Sequence, residues 1–555
     1  MNWLGEIASN PFYEFSIILF LAALLGSLGQ LLKQPLIVMF IALGILVGPT
    51  VLDVVHSKEN IHLLAEVGIV ILLFIVGLKL DLRIIKSVGR VALLTGLGQV
   101  LFTSLIGYLI GMGMGFSTIH SFYIAVALTF SSTIIIVKLL SDKKEIDSLH
   151  GQIAVGFLIV QDIVVILVMI VLSTMRQENE SPLWQAILQT VLSGAVLVLL
   201  TWLAMKWIIP RLSNFLARSQ EMLVLFAIAW AVSLASLGEI MSFSGEVGAF
   251  LAGVSLASSS FKETISSRLV SLRDFLLLFF FVNLGAELNF DVIGNQVGKA
   301  FVFSFFVLIG NPIIVLIIMG VMGYKKRTSF LAGLTVAQIS EFSLIFAGLG
   351  LSIGHINEET VGLITLVGLI TIGLSTYLIL YSHPIYEFIA PALSIFERKN
   401  IKDPFLQDQT GKTYELIIFG FGRFGSKIAD ILDQHKEINY LGIDFDPLVV
   451  RNEKKAGRNV VYADMEDPEI FDQIPFQNTK CVISTVPILD ASNHLVENLK
   501  NNNFEGKIYL TALKAKDQAL FKESGADKVL IPHHMAATHF YDFYLKKQLI
   551  DPPVN

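Results

Sequence analysis

The chain has 555 residues, 54% hydrophobic and 15% charged, with a net charge of −6 and a mean hydropathy of +0.69. Soluble globular domains carry roughly 25% charged residues, so the composition excludes a protein that is soluble throughout. The acidic balance gives no footing for nucleic acid. The lone Cys481 excludes a disulfide within one chain and fits a reducing compartment around the C-terminal part.

The N-terminus has no basic start followed by a short apolar core and a small-residue cleavage site, so the first apolar run is expected to stay as an anchor. Long apolar runs then alternate with short polar breaks up to about Ser382. A span needs about 20 apolar residues. Thirteen stretches qualify: 12–33, 35–53, 61–80, 88–113, 118–140, 151–175, 183–210, 220–238, 244–260, 270–290, 296–323, 327–352 and 357–382.

Every second loop is basic, holding in turn Arg83, Lys86 and Arg90; Lys143 and Lys144; Arg211 and Arg218; Lys262, Arg268 and Arg273; and Lys325, Lys326 and Arg327. The intervening loops hold little beyond Lys58, Arg176 and Lys299. Basic loops stay in the cytoplasm. The N-terminus is therefore expected outside and the C-terminus inside, which requires an odd number of spans.

The sixth span carries Gln161 and Asp162 at its midpoint, with no charge in the flanking turns. A carboxyl group kept from water favours its neutral form and is suited to trading a proton for a cation. The same position also suits an Asp that hydrogen-bonds a neighbouring helix. Two polar clusters weigh toward exchange. The fifth span has T-F-S-S-T at its centre, with Thr129, Ser131, Ser132 and Thr133; the twelfth has A-Q-I-S-E-F, with Gln338, Ser340 and Glu341. Polar clusters at corresponding places in two halves predict broken helices that meet at the midplane. The seventh span would then link two inverted six-helix repeats.

The membrane half resembles the Kef-type monovalent cation:proton antiporters, the cation:proton antiporter-2 family. The resemblance rests on L-A-E-V-G-I-V-I-L-L-F-I-V-G-L (64–78), the Gln161–Asp162 pair, G-A-F-L-A-G-V-S-L-A (248–257), F-F-F-V-N-L-G (279–285) and Q-I-S-E-F (338–342). It implies an NhaA-like antiporter fold in a homodimer, with Asp162 as shared carrier of cation and proton and Gln161 beside it. It also implies that the Gln form goes with potassium and electroneutral exchange. Some relatives carry a basic residue in the eleventh span, where this chain has Asn311 and Pro312, so that residue's role does not carry over.

Past the linker the period changes. E-L-I-I-F-G (415–420) reads as a buried strand, G-F-G-R-F-G (420–425) opens a helix, and Y-L-G-I-D (440–444) is a second strand ending in Asp444. A strand, a glycine loop, a helix and an acid 19 residues beyond Gly425 make the full dinucleotide-binding context. Gly420 makes the turn, Gly422 lets backbone approach phosphate, Gly425 lets the helix pack closely, and Asp444 would hold ribose hydroxyls. Arg423 and Phe424 complete the loop. Further strands near 459–462, 480–484, 507–512 and 528–531 predict a Rossmann-like sheet. This part resembles the nucleotide-binding lobe of RCK-type (TrkA-N) domains. That resemblance adds Asp464 on the adenosine side, with AMP, ATP or NAD(H) as regulator. His533, His534 and His539 read as a helix surface rather than a metal site.

The expected division is 1–383 membrane domain, 384–412 linker and 413–555 cytosolic domain, in a plasma membrane protein. A dehydrogenase would need a substrate domain and a catalytic constellation, and neither is visible, so no enzyme is expected. A nucleotide-gated potassium channel would need a carbonyl filter of the T-V-G-Y-G kind, and none occurs. Potassium:proton exchange is the leading expectation, with sodium:proton exchange the alternative.

Overall fold

The computed structural model describes residues 10–550 apart from 50, 80–81, 174–195, 197–198, 200, 209–218, 242–244, 258, 260, 287–295, 398–412, 436–437, 466–473, 475, 477 and 515–517. The chain divides into two compact units, one over Met1–Ile146 and His150–Lys399, the other built on Asn400–Asn555.

The first unit is helical. In chain order it comprises α1 (Pro11–Leu31), α2 (Leu36–Val47), α3 (Lys58–Lys79), α4 (Leu82–Gly113), α5 (Thr118–Ala127), α6 (Thr133–Asp142) and α7 (Leu149–Ser173). Then come α8 (Gln220–Ile240), α9 (Gly245–Leu256), α10 (Lys262–Ala286), α11 (Val297–Phe305), α12 (Asn311–Met322), α13 (Lys326–Leu334), α14 (Glu341–Ser352), α15 (Glu358–Leu380) and α16 (Ser382–Leu393). A π turn at Phe306–Gly310 joins α11 to α12. Among the described residues, eight helices are long and apolar enough to cross a membrane: α1, α3, α4, α7, α8, α10, the composite α11–α12 and α15.

Eight of the thirteen expected spans are thus long helices. The second and ninth are the shorter α2 and α9. The fifth and twelfth are each broken in two, as α5–α6 and α13–α14. The seventh, 183–210, lies largely outside the described residues. Helical structure also continues into the region expected as linker, where α16 packs against α13 with Tyr386 against Phe330 at 5.9 Å between ring centroids.

In lipid there is no hydrophobic force between helices, so close approach of backbones carries the packing. Glycines supply it here. Gly77 of α3 faces Gly253 of α9, and Gly44 of α2 faces Gly285 of α10; a Cβ at any of the four would strike the facing backbone. The helix starts are set by side chains that satisfy free N–H groups. Asn10 accepts from Phe12 N–H ahead of α1, Ser117 from His120 ahead of α5, and Asn357 from Thr360 ahead of α15.

The second unit is a six-stranded parallel sheet in the order β3-β2-β1-β4-β5-β6. The strands are β1 (Leu416–Phe419), β2 (Tyr440–Asp444), β3 (Val460–Tyr462), β4 (Cys481–Ser484), β5 (Lys507–Thr511) and β6 (Lys528–Leu530). Its helices are α17 (Gly425–His435), α18 (Pro447–Lys455), α19 (Leu489–Asn501), α20 (Gln518–Glu523) and α21 (Pro532–Phe540). All four residues of β1 are buried, as a central strand of a sheet covered on both faces must be. The order reverses between β1 and β4, and that switch point is where open α/β sheets take their ligands.

Candidate functional site

The two broken helices meet. The fifth span stops at Ala127, and Ser132 accepts from Ile135 N–H to start α6. The twelfth stops at Leu334, and Ser340 caps α14 in a reciprocal pair with Ser343. Asn311, fully buried at the start of α12, bridges the gap. Its Nδ2 donates to Leu128 O at 3.1 Å and to Val336 O at 3.4 Å, the carbonyls just past the ends of α5 and α13. In α12 the residue follows the π turn, an irregularity often found at functional sites.

Asp162 stands half-buried on α7, and the Thr133 hydroxyl at the start of α6 donates to its Oδ2 at 2.9 Å. Glu341 is buried at the first residue of α14, on the opposite broken helix. The Ser340 hydroxyl donates to its Oε2 at 3.3 Å.

Gln161 goes elsewhere. Its Oε1 accepts from Ser131 N–H at 3.0 Å and its Nε2 donates to Gln99 Oε1 at 2.8 Å, so its amide turns into the protein. Successive helix residues point about 100° apart, which is why neighbours in sequence face different surroundings.

The other expected polar groups divide by task. Thr129 donates to Ala125 O at 2.8 Å and meets Ser104 Oγ at 2.9 Å. Ser132 and Ser340 are caps. Gln338 accepts from the Ser375 hydroxyl at 2.7 Å. Among the described residues, Ser131 Oγ and Gln338 Nε2 are buried without a hydrogen-bond partner, as are single atoms of Gln34, Thr95, Gln296, Ser304 and Ser329 elsewhere in the helical unit.

Sequence reasoning passed over Gln99 and Thr103, both fully buried on α4. Gln99 Nε2 donates to Thr129 O and to Thr103 Oγ1, each at 3.1 Å, and the Thr103 hydroxyl donates to Asn311 Oδ1 at 2.9 Å. The available signal was an amide in mid-span, one helical turn from a hydroxyl.

A further cluster lies in the loop between α6 and α7. Glu145 meets Lys143 Nζ at 2.9 Å, His150 Nε2 at 3.1 Å and His383 Nε2 at 2.7 Å. Burial pushes the Glu145 carboxyl up, but its hydrogen bonds to the two histidines and the Lys143 charge outweigh this and hold it well below the usual carboxylate range. Lys143 also donates to Ile379 O and Ser382 Oγ, and Arg327 Nη2 lies 3.3 Å from His383 Nδ1. The cluster thus ties both broken helices to the start of α16.

In the second unit, Gly420 has φ +86°, the left-handed conformation that its turn requires. A Cβ at Gly425 would run into Gly420 O, while the position at Gly422 opens on free space. The N-terminus of α17 therefore presents a bare backbone cradle of the kind that holds phosphate, and a nucleotide fits it. Thr485, just past β4, donates to Gly420 O at 2.8 Å and steadies the loop. Asp444 accepts from Phe421 N–H at 2.5 Å and from Asp446 N–H at 2.8 Å. The carboxylate keeps acceptor capacity for a ribose hydroxyl. Burial pushes the Asp444 carboxyl up, and these backbone donors partly offset the shift. Arg423 is exposed beside the cradle, Phe424 is half-buried, and Asp464 is half-buried after β3. His533, His534 and His539 are exposed on α21, and no group of three metal-ligating side chains occurs among the described residues.

Fold and site define the class: a multi-pass membrane protein with two broken helices crossing in its bundle, followed in the chain by a nucleotide-binding fold. Residues 16–380 match the family "Sodium/hydrogen exchanger, transmembrane", and residues 416–532 match the TrkA-N domain. The chain belongs to the sodium/hydrogen exchanger family.

KefB of Alkalimonas amylolytica, which carries the name of a K(+) efflux antiporter, is 27% identical over 502 residues, covering 89% of this chain and 75% of that one. YbaL of Escherichia coli (strain K12), which carries the name of a cation/proton antiporter, is 24% identical over 526 residues, covering 92% and 93%. The solved sodium proton antiporter MjNhaP1 of Methanocaldococcus jannaschii superposes with a TM-score of 0.50 at 16% identity, over 68% of this chain and 96% of that one. At that identity it shows the fold alone.

Proposed function

We propose that this protein exchanges a monovalent cation, potassium, for protons by alternating access, with Asp162 loaded by the cation and the proton in turn. One observation carries the reading: Asp162 is a half-buried carboxylate at mid-helix, held by a neutral hydroxyl from one broken helix and, among the described residues, paired with no basic side chain. A carboxylate in that setting needs a counter-charge, and a proton or a weakly hydrated cation supplies it. Thr133 is the second ligand in this reading. Ser131 and Gln338, with their unpaired buried atoms, line the path between the crossing helices. The names of KefB and YbaL support cation:proton exchange, and that of KefB supports potassium.

The TrkA-N domain binds an adenine nucleotide (AMP, ATP or NAD(H)) as a regulator, through the Gly420–Gly425 cradle, Asp444 and Asp464. The protein works as a homodimer in the plasma membrane, with the N-terminus outside and the nucleotide-binding domain in the cytoplasm. The test is proton flux in proteoliposomes loaded with potassium, sodium or rubidium in turn. Potassium and rubidium are expected to drive flux and sodium to drive less; flux with none of them would overturn the reading.

A further inference from the structure

The hydrogen bonds around the helix crossing run in one direction. Ser131 offers a backbone N–H, which can only donate, so Gln161 must turn its Oε1 toward it. The Gln161 nitrogen then donates, and Gln99 must present its oxygen. The Gln99 nitrogen in turn donates to Thr129 O and Thr103 Oγ1; the Thr103 hydroxyl, its acceptor side engaged, donates to Asn311 Oδ1. The Asn311 nitrogen ends the chain on two backbone carbonyls, Leu128 O and Val336 O, which can only accept. Amide orientations are usually assigned by fit. Here a fixed donor at one end and fixed acceptors at the other determine every one of them.

What the chain ends on matters for charge. Carbonyls at a helix C-terminus carry the negative end of the helix dipole, and with no water nearby they require donors. Lysine or arginine would supply donors together with a fixed positive charge. In this protein neutral amides do it, and no hydrogen bond in the chain comes from Lys or Arg. Among the described residues, Asp162 has no Lys or Arg beside it and is held by the Thr133 hydroxyl.

We propose that Gln99, Thr103 and Asn311 are positioning residues for exchange. Together they tie off the ends of both broken helices with neutral donors and hold Gln161 turned away from Asp162, so that no fixed charge competes with the transported cation. Ser131 links the chain to the site: Gln161 grips its backbone while its buried hydroxyl stays unpaired. The proposal rests on the reading of Asp162 as carrier, and its test separates the two.

Purified Thr103→Val, Thr103→Ser, Asn311→Leu and Asp162→Asn are compared with the unmodified protein in proteoliposomes, with KM for potassium and maximal proton flux measured separately. Val, at constant shape, removes the two hydrogen bonds of the Thr103 hydroxyl, and Leu removes all three of the Asn311 amide. Each should raise KM for potassium at least roughly tenfold, the scale of unmade buried hydrogen bonds, while maximal flux changes less than about twofold. Thr103→Ser keeps the hydroxyl and should retain the unmodified KM.

Melting temperature in detergent reports folding of each variant. Should Asn311→Leu fail to fold, the Thr103 pair decides alone. An unchanged KM in Thr103→Val, or an equal rise in Thr103→Ser, overturns the positioning role even where Asp162→Asn is inactive. Normal exchange by Asp162→Asn overturns the carrier reading itself.

Discussion

Asp162 and Gln161 are adjacent in one helix, yet one side chain opens toward a hydroxyl at the helix crossing and the other is locked into a buried amide chain. Gln161→Glu tests the locked half. The substitution replaces an N–H donor with an oxygen that faces Gln99 Oε1, and an unpaired buried acceptor costs about 1–3 kcal/mol. The variant should melt several degrees lower in detergent than the unmodified protein; an equal melting temperature would show that the amide is not held.

Asp162 was legible in the sequence because a charge stands out in an apolar run. Gln99 and Thr103 were not, because a neutral polar residue in a span has no comparable cost and many such residues simply bond their own helix. The direction in which Gln161 points was also hidden, since it depends on Ser131 N–H being freed by a break whose exact position only the fold sets.

The broken helices illustrate what patterning conveys at the level of elements. Polar clusters at 129–133 and 337–342 announce both breaks, and each includes the serine that caps the following half-helix. The continuation of helix through α16 was less legible, because Pro384, Pro391 and the polar residues around them read as linker. That helix is anchored by Lys143, Arg327 and, through His383, by Glu145.

A carboxyl held below its ordinary range contributes stability above the unfolded pKa and loses it as pH falls through the folded one. Glu145 should therefore stabilise the bundle fully at neutral pH and down to the ordinary Glu value of about 4.3, with the contribution fading progressively below it. Glu145→Gln should cost about 3 kcal/mol at pH 7, the effect of breaking a buried ion cluster, and the gap should narrow in stronger acid. Melting curves of both proteins across pH check this, and a gap independent of pH would contradict it. In the second unit all six strands were readable from buried runs, and the glycine loop from its place between β1 and α17. Asp444→Ala should weaken AMP, ATP or NADH binding to the full chain roughly tenfold, the loss of charge-assisted hydrogen bonds, as read by calorimetry. Unchanged affinity would show that ribose is held elsewhere.

For the molecule as a whole, Glu341 is a second acid buried at the helix crossing, at the start of α14. Electroneutral exchange, which the resemblance implies, does not depend on its charge. A fixed charge carried across with the moving core returns with it, so one cation out and one proton in still sum to no net charge over a cycle. What the account cannot survive is exchange without Asp162. Potassium-driven proton flux in proteoliposomes, with unmodified protein and Asp162→Asn reconstituted side by side at matched folding, is the most direct test. Flux is expected from the former and none above empty liposomes from the latter; cation-dependent flux from the folded Asn variant would show that Asp162 is not the carrier.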